Sequence, residues 1–118
     1  MAEDDPAVGA FVARALGHAG HEIVSVRDGL AALTALARDS FDLLLTDIVM
    51  PGLDGIALAL KVTRDYPKLR VLLMTGFAAE RQRAHNLDAL IHRIIEKPFT
   101  LQEICAVVAE ELAAARRG

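Results

Sequence analysis

Three consecutive leucines, Leu43 to Leu45, stand between Asp42 and the polar pair Thr46-Asp47. A strand with one face in water alternates apolar and polar residues. An unbroken apolar run implies cover on both faces, the condition of a parallel sheet between two helix layers. Val71 to Met74 is a second such run, ending at Thr75 and a Gly76 break. HRIIE at His92 to Glu96 is a short strand running into Lys97-Pro98. EIVSV at Glu22 to Val26 alternates polar and β-branched residues and reads as a further short strand.

Helical spacing fills the intervals. Asp5 followed by Pro6 is an N-cap with proline at the first helical position, and Val8, Phe11, Val12, Ala15 and Leu16 then mark a helix to about His18. Leu30, Leu33, Leu36 and Ala37 mark a second helix, and Ile56, Ala59, Leu60 and Thr63 a third that must end before Pro67. The segment from Ala79 to Leu90 is a weak, polar helix candidate. Thr100 to Glu103 is a capping box, behind which Leu101, Ile104, Val108 and Leu112 form an amphipathic last helix. Strands and helices alternating in this way predict βαβ units on one parallel sheet, an α/β doubly wound fold, as a single domain over 1–118.

The bulk numbers narrow the function classes. The chain is 53% hydrophobic but only 4% aromatic, so its core is aliphatic. Thirteen basic against sixteen acidic residues give a net charge of -3, with no basic run to track phosphates, so a direct nucleic-acid partner is not expected. No apolar stretch approaches the ~20 residues that cross a bilayer, and the lone Cys105 reads as a small hydrophobe, so the expected location is cytoplasmic, away from the membrane. His18, His21, His85 and His92 share no face and have no ligand-spaced partner, so zinc is not expected.

In open parallel sheets, ligands bind beyond the carboxyl ends of the strands. Asp47, Thr75 and Lys97 each follow an apolar run, and Glu3 and Asp4 immediately precede the first helix. Crowded carboxylates repel one another, and a divalent cation resolves the repulsion. Hard oxygen ligands suit Mg²⁺, which commonly takes phosphate oxygens as its remaining ligands. Lys97 can neutralise phosphoryl charge, Thr75 can donate a hydrogen bond to a phosphoryl oxygen, and Asp47 is the carboxylate that could attack phosphorus. Gly76 leaves room beside that site.

The strings LLLTDIVMPGLDG, MTGF around Thr75 and KPF at Lys97, in this order and each at a strand end, closely resemble the receiver domain of bacterial two-component response regulators. The resemblance spans essentially the whole chain. It implies a flavodoxin-like five-stranded sheet of order 2-1-3-4-5. It implies that Asp47 takes a phosphoryl group from a phosphohistidine on a histidine kinase or histidine phosphotransferase. By the same match, Asp4, Asp47 and the backbone carbonyl of Val49 would ligate Mg²⁺, with Glu3 acting through a bound water and Asp5 only as a helix cap. Thr75 and Lys97 would stabilise the phosphoryl group, and the peptide before Pro98 is a candidate cis bond. Catalysis is then limited to the chain's own Mg²⁺-dependent aspartyl phosphorylation and dephosphorylation. FDLLLTDIVMP with MTGFAA further resembles stand-alone receivers that control the alphaproteobacterial cell cycle as adaptors delivering substrates to the ClpXP protease. Similar strings occur in receivers of hybrid histidine kinases, and a phosphorylation-independent pseudo-receiver would share every core signal.

Three features depart from the common receiver pattern. Ile94 stands where many receivers carry Tyr or Phe, which leaves signalling to Thr75 and the loop from Gly76 to Ala79, with Phe77 as its apolar group. Val49 and Phe77 are apolar where side chains often position the hydrolytic water, so slow dephosphorylation is expected. Val49 also displaces the second Asp that a haloacid dehalogenase-like phosphatase requires, and MAEDDP is too acidic for a flavodoxin-type phosphate loop. Finally, only Met1 and Ala2 precede the acids, where the fold calls for a central strand. The expectation is a sequence shortened at its N-terminus, most simply by a start codon assigned too late, with the first strand largely missing.

Overall fold

The apolar runs form the middle of a parallel sheet in the computed structural model, which describes residues 1–3, 5–50, 52–76, 93–97 and 99–117. Strands β1 (Leu43–Asp47), β2 (Arg70–Thr75) and β3 (Arg93–Glu96) lie in the order β1-β2-β3, with Leu45 opposite Leu72 and Leu73 opposite Ile94. Alternate residues of the runs enter different cores. Leu44, Val71 and Leu73 pack with Ala32 and Leu36 of helix α2 (Gly29–Arg38) and with Leu58 and Val62 of α3 (Gly55–Asp65). Leu45, Leu72 and Met74 pack with Val12 and Leu16 of α1 (Pro6–His18) and with Ile104 and Val108 of α4 (Leu101–Arg117). Both faces of the sheet are covered, as a run without polar interruptions demands.

The helix ends follow the side chains that cap them. Asp5 accepts from the amides of Ala7 and Val8, with Pro6 in the first turn, as expected. Asp28 and Asp54 cap α2 and α3 in the same way. The capping box closes reciprocally, the Glu103 amide donating to Thr100 Oγ1 at 3.1 Å and the Thr100 amide to Glu103 Oε1 at 3.3 Å. Helix α3 ends at Asp65, ahead of Pro67. The helical spacing was less reliable at the rims of the apolar faces: Phe11, Leu30 and Leu101 are 45%, 64% and 47% exposed. Cys105 is half-buried, its thiol against the Ala15 carbonyl. The polar helix candidate from Ala79 to Leu90 lies outside the described residues.

The expected strand at Glu22 to Val26 is corrected by the structure: only Val26 joins the sheet, through a bridge to Ala2. Ala2 also bridges Thr46, so the sheet reads Val26, Ala2, β1, β2, β3, which is the expected 2-1-3-4-5 order with a single-residue first strand. The reason is a missing neighbour. The Met1 terminal ammonium donates to the Val24 carbonyl at 2.7 Å, and burial lowers its pKa to about 6. Beyond it, an open cavity of about 670 Å³ separates Glu22–Val24 from Leu43 and Leu45. Beyond the Val24 carbonyl, the cavity lies where a paired strand would continue, and a strand forms only against a partner. At that end of the sheet, the Arg70 guanidinium donates twice to Glu111 Oε2, at 2.7 and 3.2 Å, tying β2 to α4.

The two-faced burial predicts unequal costs for equivalent truncations. Leu72→Ala, at a fully buried position in the middle of the sheet, is expected to lose about 2–5 kcal/mol in chemical denaturation. Leu30→Ala should stay within about 0.5 kcal/mol of the parent.

Candidate functional site

Each apolar run ends where the helix layers stop covering the sheet, and the residue at that point is polar. Asp47 closes β1, Thr75 closes β2, and Lys97 follows β3. The backbones of β1 and β3 are separated by β2, a gap of about 10 Å at ordinary strand spacing. The long lysine side chain spans it. The Lys97 amide is fixed by donation to the Thr75 carbonyl at 2.7 Å, and its ammonium lies 3.0 Å from Asp47 Oδ2. The same ammonium donates to Glu3 Oε2, also at 3.0 Å. Glu3 arrives from the opposite side, on the segment that Ala2 pins to β1 through Ala2 N–H to Leu45 O (2.8 Å) and Asp47 N–H to Ala2 O (2.9 Å).

The electrostatics follow from burial. The Glu3 side chain is 1% exposed and Asp47 10%, so neither carboxylate is well hydrated. Loss of water raises the Glu3 pKa above its ordinary value. Donation from the Asp5 amide and the Lys97 ammonium opposes that rise, and the Asp47 charge reinforces it. Burial works against the Lys97 ammonium too, but its hydrogen bonds to Asp47 and Glu3 outweigh that and hold its pKa above the usual lysine value. The other Asp47 oxygen accepts from the Ile48 amide at 3.0 Å, which orients the carboxyl at the strand end.

These residues fit a hard cation. Two poorly hydrated carboxylates share one ammonium, so the site already concentrates negative charge on oxygen donors of the kind Mg²⁺ takes. Val49, whose carbonyl is a further candidate ligand, follows Asp47 in the loop after β1, with its side chain 54% exposed. Asp4, Phe77 and Pro98 lie outside the described residues. Thr75 is buried at the end of β2, and Gly76 is exposed beside it. Ile94, in the place of the aromatic switch residue, is partly buried against the core shared with α2 and α3.

The direct Glu3–Lys97 pair was not anticipated from the sequence, nor was the role of Gly55. The Gly55 amide donates to the Ile48 carbonyl at 2.7 Å, closing the loop that leaves β1. A Cβ at Gly55 would overlap the Asp47 carbonyl oxygen and reach within 2.8 Å of Ile48 Cα. Only hydrogen fits where α3 meets the Asp47 backbone. The one signal in the chain is a glycine directly after the cap Asp54, at a position where helix propensity alone would favour another residue. Gly55→Ala is therefore expected to cost about 3 kcal/mol or more, with shifted amide resonances at Asp47 and Ile48. Gly17→Ala, with nothing within 4 Å of its Cβ, should gain about 0.5–1 kcal/mol in the same denaturation assay.

Comparison with known proteins agrees with this geometry. Residues 1–109 match the response regulator receiver domain family. The response regulator receiver protein CpdR of Brucella abortus is 36% identical over 115 residues, covering 98% of this chain and 96% of that protein. The transcriptional regulatory protein TcrA of Mycobacterium tuberculosis is 33% identical over 118 residues, covering 100% of this chain and 46% of that protein. The receiver domain of NtrX from Brucella abortus superposes with a TM-score of 0.87 at 27% identity, covering 95% of each chain. With acid, hydroxyl and ammonium gathered at one sheet edge and these relatives along nearly its full length, the chain belongs to the response regulator receiver domains of two-component signalling.

Proposed function

We propose that the chain is a phosphorylation-dependent switch in which Asp47 accepts a phosphoryl group from a phosphohistidine on a histidine kinase or histidine phosphotransferase. The observation that supports this is the Lys97 ammonium held 3.0 Å from both Asp47 and Glu3 at the open end of the sheet. In the transfer, an Asp47 carboxylate oxygen attacks phosphorus while the phosphorus–nitrogen bond to imidazole breaks. The imidazole leaves and recovers a proton from solvent, and Asp47 becomes an acyl phosphate. Lys97, already charged and in place, compensates the phosphoryl oxygens, and the Thr75 hydroxyl donates to one of them. Asp4, Asp47 and the Val49 carbonyl would hold Mg²⁺, with Glu3 acting through a bound water. Such an ion supplies positive charge against the phosphoryl oxygens.

The output is protein binding, with no catalysis beyond the chain's own phosphorylation and dephosphorylation. CpdR, a receiver of similar length, supports a stand-alone role of this kind. Adaptor action toward ClpXP or its substrates is the narrower form of the reading. No described helix is long and apolar enough to cross a membrane, and the proposed location is cytoplasmic.

Beryllofluoride or acetyl phosphate with Mg²⁺ should shift the amide resonances of Asp47 to Val49, Thr75 and Lys97. EDTA or Asp47→Asn should abolish the response. Unchanged spectra in the parent protein would identify a receiver fold that is never phosphorylated. With Val49 beside the acceptor, the acyl phosphate is expected to persist in excess Mg²⁺. Decay within seconds, followed by radiolabelled phosphoryl release, would contradict the role given to the apolar neighbour.

A further inference from the structure

We infer that Gly29 is a positioning residue for the acceptor loop: its missing side chain lets the start of α2 seat the backbone of Leu53 and so sets where the Val49 carbonyl lies. The inference rests on the proposed role of that carbonyl in the metal site. Gly29 is buried as the first residue of α2. A Cβ there would stand 2.6 Å from the Leu53 carbonyl oxygen, 3.1 Å from Leu53 Cβ and 3.2 Å from Leu53 Cδ2. The closest of these is backbone, so no rotamer change relieves it. Positive φ among the described residues is confined to Gly20 and Gly52. Gly29 therefore meets a requirement for space and not for an unusual backbone conformation.

The loop is tied at both ends. At one end it leaves β1 at Asp47, and the Gly55 amide closes it onto the Ile48 carbonyl at 2.7 Å. At the other end, Asp54 caps α3 by accepting from the Ala57 amide at 2.8 Å. Between these ties, Leu53 packs on the core shared by α2 and α3, with its carbonyl against Gly29. The α2 side is equally fixed, since Asp28 caps the helix through the Ala31 amide at 2.8 Å and Ala32 and Leu36 are buried behind it. A methyl group at Gly29 must push one of two anchored backbones, and the loop has no helical ladder to resist it. Val49 shares that loop, so the displacement is carried along the main chain to the carbonyl proposed as a Mg²⁺ ligand.

The test is Mg²⁺ titration of the full chain followed by NMR, together with hydrogen exchange of the Gly55 amide. Gly29→Ala is expected to weaken Mg²⁺ binding about tenfold, the low end of what lost support behind a ligand costs. It should also speed Gly55 exchange. Val62→Ala, which opens a cavity under α3 away from the loop, should lower stability while leaving Mg²⁺ affinity within about twofold. Parent-like affinity and Gly55 exchange in Gly29→Ala would overturn the inference, as would an equal loss of affinity in Val62→Ala. If Gly29→Ala does not fold, Leu53→Ala decides: weakened Mg²⁺ binding at a smaller stability loss than Val62→Ala supports the seat, and parent-like binding overturns it. Should the parent itself show no Mg²⁺ response, the proposed metal site falls, and the Gly55 exchange rates in the two variants alone decide whether Gly29 seats the loop.

Discussion

Burial of β1 and β2 on both faces organises everything else in this molecule. Val71, Leu72, Leu73 and Met74 have no exposed surface, so polar side chains are excluded along the body of the strand and appear where the helix layers end. The same exclusion that makes the core strips water from whatever stands at its rim. Asp47 and Glu3 are therefore close together, poorly hydrated and still hydrogen-bonded, a combination that a solvated surface cluster would not have. The polar edge is a by-product of how the sheet is covered.

At that edge, one ammonium balances two carboxylates, which leaves a net negative pocket among the described side chains. Hydrogen bonds to Asp47 and Glu3 hold the Lys97 ammonium charged against the pull of desolvation, while burial raises the Glu3 pKa against the bonds it accepts from Asp5 and Lys97. The backbone under the cluster is equally determined. Gly55 and Gly29 each let a helix N-terminus come within contact distance of the segment that leaves β1, where a side chain would overlap main-chain atoms.

Much of this was readable in the chain. Asp47, Thr75 and Lys97 announced themselves by following apolar runs, and the Asp5-Pro6 and Thr100–Glu103 caps formed as their chemistry required. Local rules failed where the deciding partner was remote. EIVSV has the composition of a strand, yet among the described residues it bridges the sheet at Val26 alone, with Val24 bonded to the Met1 ammonium. Phe11, Leu30 and Leu101 have helical spacing, yet lie where no second element reaches them. Nothing in the chain marks Arg70 and Glu111 as partners, and the glycine contacts depend on how separate helices converge on the loop after β1.

The bridge at Ala2 has a further thermodynamic meaning. Glu3 is presented to the site by a short segment held to β1 through backbone hydrogen bonds from Ala2 to Leu45 and from Asp47 to Ala2, and on its other side to Val24 and Val26. Segments this short open locally at a free energy at or below that of the whole domain. Any ligand that needs Glu3 then binds with its intrinsic affinity multiplied by the fraction of molecules in which this arm is docked. Partners that never touch the arm escape that penalty. Docking of this segment between Val26 and β1 thus sets how much of the acidic pocket is assembled.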